Sequence, residues 1–221
     1  MSGKQALIAV LAVTMCVLGA AAAAQDRGID RGNELTGLIR RTFISDQGLS
    51  GPNAPAINPF IRSGNGLTFE VNYSRFLLVH TVYAISAEVP AAFNLDEKLN
   101  SGGDVVPKSY SQIFVTPGFR VNFFPGTGVS PWVSVGGGFA RFSENSNLIY
   151  SGTNPGSNTT SGVLEGGLGL DVSPFQQRFR RFGFRLDVRD FWSGEPSFPL
   201  ADTGKTRQHN FFVGGGVIWH F

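Results

Sequence analysis

The chain has 221 residues, of which only 15% are charged, with 29 glycines and 20 phenylalanines. Soluble domains carry roughly 25% charged residues, and the deficit here is mostly lysine: beyond residue 24 only Lys98, Lys108 and Lys205 remain. A soluble surface, which spreads lysine over its water-facing positions, is disfavoured, and a formal net charge of +2 gives no case for a nucleic-acid partner.

Residues 1–24 read as a secretory signal. Lys4 supplies the positive end, Ala6 to Leu18 the apolar run, and Ala20 to Ala24 a small-residue cleavage site, with the cut expected before Gln25. As an anchor the run is shorter than the ~20 residues a span needs. Cys16, the single cysteine, leaves with the signal, so the exported chain can form no disulfide. Residues 25–32 are then a short periplasmic segment, and 33–221 form one domain.

From Asn33 the sequence alternates with period two between polar connections, and eight strands are predicted. The first covers Asn33 to Ile44, with Leu35, Gly37, Ile39 and Phe43 on one side; Arg40 and Arg41 are adjacent, so either register exposes one of them. The second, Gly66 to Leu77, alternates Leu67, Phe69, Val71 and Tyr73 with Thr68, Glu70, Asn72 and Ser74. The third, Val82 to Ala91, sets Tyr83, Ile85, Ala87 and Val89 against Ser86 and Glu88. The fourth, Ser109 to Phe124, sets Ile113, Val115, Phe119, Val121 and Phe123 against Gln112, Thr116, Arg120 and Asn122, with a bulge expected at Pro117. The fifth, Ser130 to Phe142, alternates Val133, Val135 and Phe139 with Ser134, Gly136, Gly138 and Ala140. The sixth, Gly162 to Ser173, sets Leu164, Leu168, Leu170 and Val172 against Glu165, Gly167, Gly169 and Asp171. The seventh, Arg181 to Trp192, sets Phe182, Phe184, Leu186, Val188 and Trp192 against Arg185, Asp187 and Arg189. The eighth runs from Arg207 to Phe221, with Phe211, Val213, Gly215, Val217 and Trp219 on one face and Gly214, Gly216 and His220 on the other.

Connection lengths give an independent signal. Loops after odd-numbered strands are long (Ser45 to Asn65, Ala92 to Lys108, Ser143 to Ser161, Ser193 to Thr206), and those after even-numbered strands are short (Leu78 to Thr81, Pro125 to Val129, Pro174 to Arg180). An even strand count, with long and short connections at opposite ends, fits an up-and-down transmembrane barrel with periplasmic termini and not a Greek-key sandwich. The apolar face carries aromatic residues near strand ends (Tyr73, Phe123, Trp192, Trp219), as interfacial girdles do. The other face mixes glycine with Glu70, Glu88, Glu165, Asp171 and Asp187 against Arg120, Arg185 and Arg189. That suits a lumen of paired charges, and closure removes the edges a bilayer cannot tolerate. The fold class expected is all-β: an eight-stranded antiparallel up-and-down transmembrane β-barrel preceded by a signal peptide.

The export signal, the eight strands and the ending Gly216-Val217-Ile218-Trp219-His220-Phe221 together resemble small outer-membrane β-barrel proteins of the OmpA/OmpX type. The ending is similar to the C-terminal assembly signal read by the bacterial barrel-insertion machinery, matched by Gly216, Trp219 and Phe221; its polar position is Gly214 here. The segments Phe69 to Arg75, Val135 to Phe142 and Arg207 to Asn210 also look like a family of uncharacterised bacterial outer-membrane β-barrel-domain proteins. The resemblance implies an outer-membrane location, contact with outer-membrane lipid and lipopolysaccharide, assembly by the insertion machinery, and a monomer. No periplasmic peptidoglycan-binding domain is expected to follow the barrel.

Each tempting site has a plainer explanation beside it. Gly136-Gly137-Gly138 and Gly214-Gly215-Gly216 open no helix and precede no Lys-Ser/Thr, so they are read as bending points and not phosphate loops. Asn158-Thr159-Thr160 marks a surface loop. His80, His209 and His220 have no second ligand at metal spacing, so no metal or other cofactor is expected. The lumen charges could be a selectivity network, but an eight-stranded barrel is just wide enough to be filled by side chains, which favours a plug. A structural or surface-binding barrel is therefore expected, with a narrow pore as the alternative. A lipid-modifying enzyme is the remote one, since neither His80 nor His209 has a serine two residues on.

Overall fold

The computed structural model describes residues 32–50, 54–56, 58–64, 66–125, 127–150, 152–155, 158–173, 181–198, 200, 202–204 and 206–221. The expected signal, residues 25–31 and the turn 174–180 lie outside the described residues.

Among the described residues, eleven strands build one antiparallel sheet: β1 (Asn33–Ile44), β2 (Gln47–Gly48), β3 (Phe60–Ser63), β4 (Leu67–Val79), β5 (Tyr83–Asn100), β6 (Ser109–Val115), β7 (Gly118–Phe123), β8 (Val129–Glu144), β9 (Asn158–Val172), β10 (Phe182–Gly194) and β11 (Arg207–His220). β1 pairs with both β4 and β11, so Ile39 faces Phe69 on one side and Gly215 on the other, and the sheet closes on itself. At the seam Asn33 and Phe221 exchange backbone bonds, each 2.9 Å. The ring has eight staves, because β6 and β7 share one.

The stave shared by β6 and β7 corrects one expectation. No bulge forms at Pro117. Glu88 faces Gly118 and Ala91 faces Val115 on one side, and Gly136 faces Gly118 and Phe139 faces Val115 on the other, so the register is the same above and below the break. The proline only removes one ladder donor. The register slips instead at Phe76/Leu78 on β4 and at Asn94/Glu97 on β5. β5 also runs nine residues beyond the expected Ala91, pairing Glu97 with Tyr110 and Lys98 with Ser109, so Lys98 is a strand residue and not a loop residue. β2 and β3 lie within the expected first long loop, and β3 adds a short edge to the extension of β5.

The two faces are inverted relative to a soluble barrel. Val135 is 65% exposed, Leu168 60% and Ile39 57%, whereas Arg185 and Arg189 are 0% exposed. On every full-length stave the alternating apolar set read from the sequence points outward and the opposite set inward, the arrangement that hydrocarbon outside and side chains inside require. The register of β1 settles which arginine goes where: Arg40 is buried in the lumen and Arg41 is outward. Long connections gather at one end, called here the loop end, and short turns at the other, the turn end, where Asn33 and Phe221 also lie.

Interior volume explains the glycines that mattered most. A β-carbon on Gly169 would sit 2.6 Å from Cζ2 of the buried Trp132 and 2.3 Å from the Leu186 carbonyl oxygen. One on Gly216 would sit 1.8 Å from the Gly37 carbonyl oxygen. These positions let an indole enter the lumen and let β11 close against β1.

Candidate functional site

The lumen is filled in two layers of different chemistry. Nearer the turn end, among the described residues, four arginines meet six carboxylates in one continuous chain. Arg185 donates to Asp171 through Nε (2.7 Å) and Nη2 (2.7 Å), and also through Nη2 to Glu34 (2.9 Å). Glu34 accepts in turn from Arg120 (2.9 Å), which stands 3.5 Å from Glu88. Glu88 accepts from Arg189 (2.9 Å), which also binds Glu165 and lies 3.4 Å from Asp187. Arg40 completes the chain by donating to Asp187 and, with both terminal nitrogens, to Glu70. Neutral donors satisfy remaining carboxylate oxygens: Thr116 on Glu165 (2.6 Å), Asn72 on Glu88 (3.0 Å) and Asn122 on Asp171 (3.0 Å).

Trp132 stands in the middle of this chain. Its ring centroid is 5.2 Å from the guanidinium carbons of Arg185 and Arg189 and 6.0 Å from that of Arg120, so three cations lie around one π system. The ring thereby fills the space between like charges that would otherwise face one another.

The second layer, toward the loop end, is aromatic. Phe114 packs on Phe142 (5.9 Å), Phe191 (5.0 Å) and Phe212 (5.4 Å), and Tyr110 packs on Phe142 (6.0 Å). Leu49, Ile61, Leu99, Val106 and Phe198 close over them from the loops and the β5 extension. The lumen of paired charges expected from the sequence therefore accounts for the turn-end layer only; toward the loop end the interior is an apolar core.

All eight charged residues singled out from the sequence (Glu70, Glu88, Arg120, Glu165, Asp171, Arg185, Asp187 and Arg189) point into the lumen and belong to the one network. Sequence reasoning missed Glu34 and Arg40, hidden by the unresolved phase of β1, and missed Trp132 and the four phenylalanines. Their signal was parity: each falls on the same side of its strand as the lumen charges. Tyr73, Phe123, Trp192 and Trp219 lie on the outer face, with Trp192 at the loop end and the other three toward the turn end. Gly216 abuts β1, and the Trp219 ring lies 4.8 Å from that of Phe221. His220 faces inward, 3.9 Å from Glu34. Among the described residues, no three His, Cys, Asp or Glu side chains group as metal ligands.

The loops are tied to one another. Asp104 accepts from the backbone of Tyr150 (2.8 Å) and Gly152 (2.9 Å), and Tyr150 donates to the Ser101 carbonyl (3.0 Å). Ser50 bridges to Asp202. Tyr150 remains 61% exposed, and Leu95, on the β5 extension, 74%.

No protein-family model and no curated protein sequence matches the chain. Solved structures do. The outer-membrane protein OprG of Pseudomonas aeruginosa superposes with a TM-score of 0.51 at 10% identity, over 86% of this chain and 95% of that one. Ail, the attachment invasion locus protein of Yersinia pestis, in complex with the heparin analogue sucrose octasulfate, gives 0.48 at 10% identity, over 86% and 100%. The N-terminal β-barrel domain of Pseudomonas aeruginosa OprF gives 0.46 at 13% identity, over 88% and 100%.

Proposed function

We propose, from the fold that the chain shares with the small eight-stranded outer-membrane β-barrels, that it is an outer-membrane barrel with a closed lumen, termini in the periplasm and loops outside, acting as a structural or surface-binding protein and not as a conduit or an enzyme. The observation that carries this reading is the double filling of the lumen: a chain of ten charged side chains wrapped around Trp132, and above it a core of Phe114, Phe142, Phe191 and Phe212, each of these phenylalanines at most 1% exposed. An ion crossing it would have to break buried pairs and then enter an apolar layer, and both are costly. The cross-tied loops, with Tyr150 exposed on them and Leu95 exposed on the β5 extension, offer the contact surface. Lipid and lipopolysaccharide surround the outer face, and the barrel-insertion machinery reads Gly216, Trp219 and Phe221 during assembly.

Single-channel recording in planar bilayers tests the proposal. The folded protein is expected to give no steady conductance steps; steps that persist in the wild type and change in Arg185→Ala would identify a pore and overturn the closed-lumen reading.

A further inference from the structure

Among the described outward positions of β10 and β11, three are ionisable, and all three sit together at the loop end: Asp190, Arg207 and His209. Below them the same face is Phe211, Val213, Val188 and Leu186, so the cluster marks where an apolar wall ends. Trp192 and His209 are cross-strand partners, and four side chains form one stack: the Arg207 guanidinium 4.4 Å above the Trp192 ring, Trp192 6.3 Å from His209, and His209 6.0 Å from Phe211.

A carboxylate beside a lipid wall is costly unless paired, and Asp190 is paired: it lies 2.7 Å from Nδ1 of His209. A carboxylate only accepts, so Nδ1 carries that hydrogen, and in the imidazolium form Nε2 presents a second N–H away from Asp190. The His209 side chain is 53% exposed. Arg207 lies two residues away on the same face, about 7 Å along the strand from backbone to backbone, with the Trp192 ring stacked between its guanidinium and the His209 ring. Its planar fork of donors suits phosphate oxygens, and stacking on Trp192 holds the fork in place.

We propose that this cluster binds the phosphorylated headgroup of a lipid in the surrounding leaflet. Arg207 donates to the phosphate and Trp192 positions it; His209 in its protonated form, oriented by Asp190, donates through Nε2 to a further oxygen of the same headgroup; and Phe211 and Val213 receive the acyl chain. The inference rests on the membrane location proposed above and adds to it a defined site and a ligand class.

The test uses chain purified from bacterial membranes and placed in neutral phosphatidylcholine nanodiscs. It is titrated with bisphosphorylated lipid A, with the same lipid lacking phosphates, and with inorganic phosphate, and binding is read by native mass spectrometry. The phosphorylated lipid is expected to bind about tenfold more tightly or better than its dephosphorylated form, the gain of one or two charge-assisted hydrogen bonds. Arg207→Gln/His209→Gln should abolish that preference, and inorganic phosphate at equal concentration should not compete. Equal binding of the two lipids, a preference unchanged in the double variant, or competition by free phosphate would each overturn the site. Heat-dependent gel migration of the same samples separates the two levels. A barrel that shifts on boiling but shows no preference refutes only the site, whereas a wild-type chain that never shifts refutes the location. Arg207→Gln alone, which changes one exposed side chain, is read in the same way if the double variant does not assemble.

Discussion

Replacing Arg185 with leucine removes the residue that ties two parts of the lumen chain together. In the folded barrel Arg185 gives two 2.7 Å bonds to Asp171, one 2.9 Å bond to Glu34 and a longer one of 3.4 Å to Thr36, with its side chain fully enclosed. Glu34 would retain Arg120 at 2.9 Å, but Asp171 would keep only the neutral Asn122 at 3.0 Å. One buried carboxylate is thus left without a cation, and breaking a buried pair from one side costs about 3–5 kcal/mol. Trp132 also loses one of its two closest guanidinium neighbours, 5.2 Å away, which adds on the order of 1 kcal/mol. Urea unfolding in lipid vesicles, followed by tryptophan fluorescence, measures the sum. Asp171→Asn in the Arg185→Leu background removes the orphaned charge and is expected to recover more than half of the loss, since the two residues share one interaction. A loss below about 1 kcal/mol for Arg185→Leu, the size found for solvent-exposed pairs, would mean that water screens these charges and that the lumen is open.

Four further outcomes follow from the packing. Gly169→Ala places a carbon 2.6 Å from the Trp132 ring and 2.3 Å from the Leu186 carbonyl, and it should sharply reduce the heat-shiftable fraction on gels. Gly166→Ala meets nothing within 4 Å and should be neutral or stabilise by about 0.5–1 kcal/mol. Phe212→Ala opens a cavity between Phe114 and Phe191 and should cost about 3–5 kcal/mol in the same urea assay, whereas a cost near zero would show that the upper lumen is loosely filled. Deleting Phe221 removes both backbone bonds to Asn33 and the ring beside Trp219; assembled barrel should fall while export continues, and normal assembly would make the terminal aromatic incidental.

Strand number, order and lipid face were legible because they depend on period-two alternation and on connection length, both local. Val133, Val135 and Phe139 alternate with small or polar neighbours, and that alone fixes which side of β8 meets lipid. What escaped has physical causes. Arg40 and Arg41 are adjacent, so the sequence of β1 fits either phase; only pairing with Gly214 and Thr68 on one side and Val213 and Leu67 on the other selects one. Phe114, Phe142, Phe191 and Phe212 follow the lumen parity, yet hydrophobicity suggests lipid for each, and parity has to override residue type to place them. The end of β5 was invisible because its pairing with β6 slips at Asn94/Glu97, which breaks the alternation midway. A proline such as Pro117 in a central ladder suggests a bulge from sequence because it lacks a donor, but here the ladder keeps its register on both flanks. The contacts among Glu34, Arg120, Glu88 and Arg189 join strands far apart in sequence, so only closure of the ring reveals them as one chain.

The central claim is an inside-out barrel with a dry interior, and the three tryptophans report on it directly. Trp192 and Trp219 are 38% and 42% exposed on the outer face, while Trp132 is 1% exposed inside. In vesicles with brominated acyl chains, a variant retaining only Trp132 (Trp192→Phe, Trp219→Phe) is expected to keep its fluorescence, both against the brominated lipid and against aqueous iodide. Restoring Trp219 should bring quenching by the lipid. Quenching of Trp132 by brominated chains would invert the barrel, and quenching by iodide would fill it with water; either result would contradict the account.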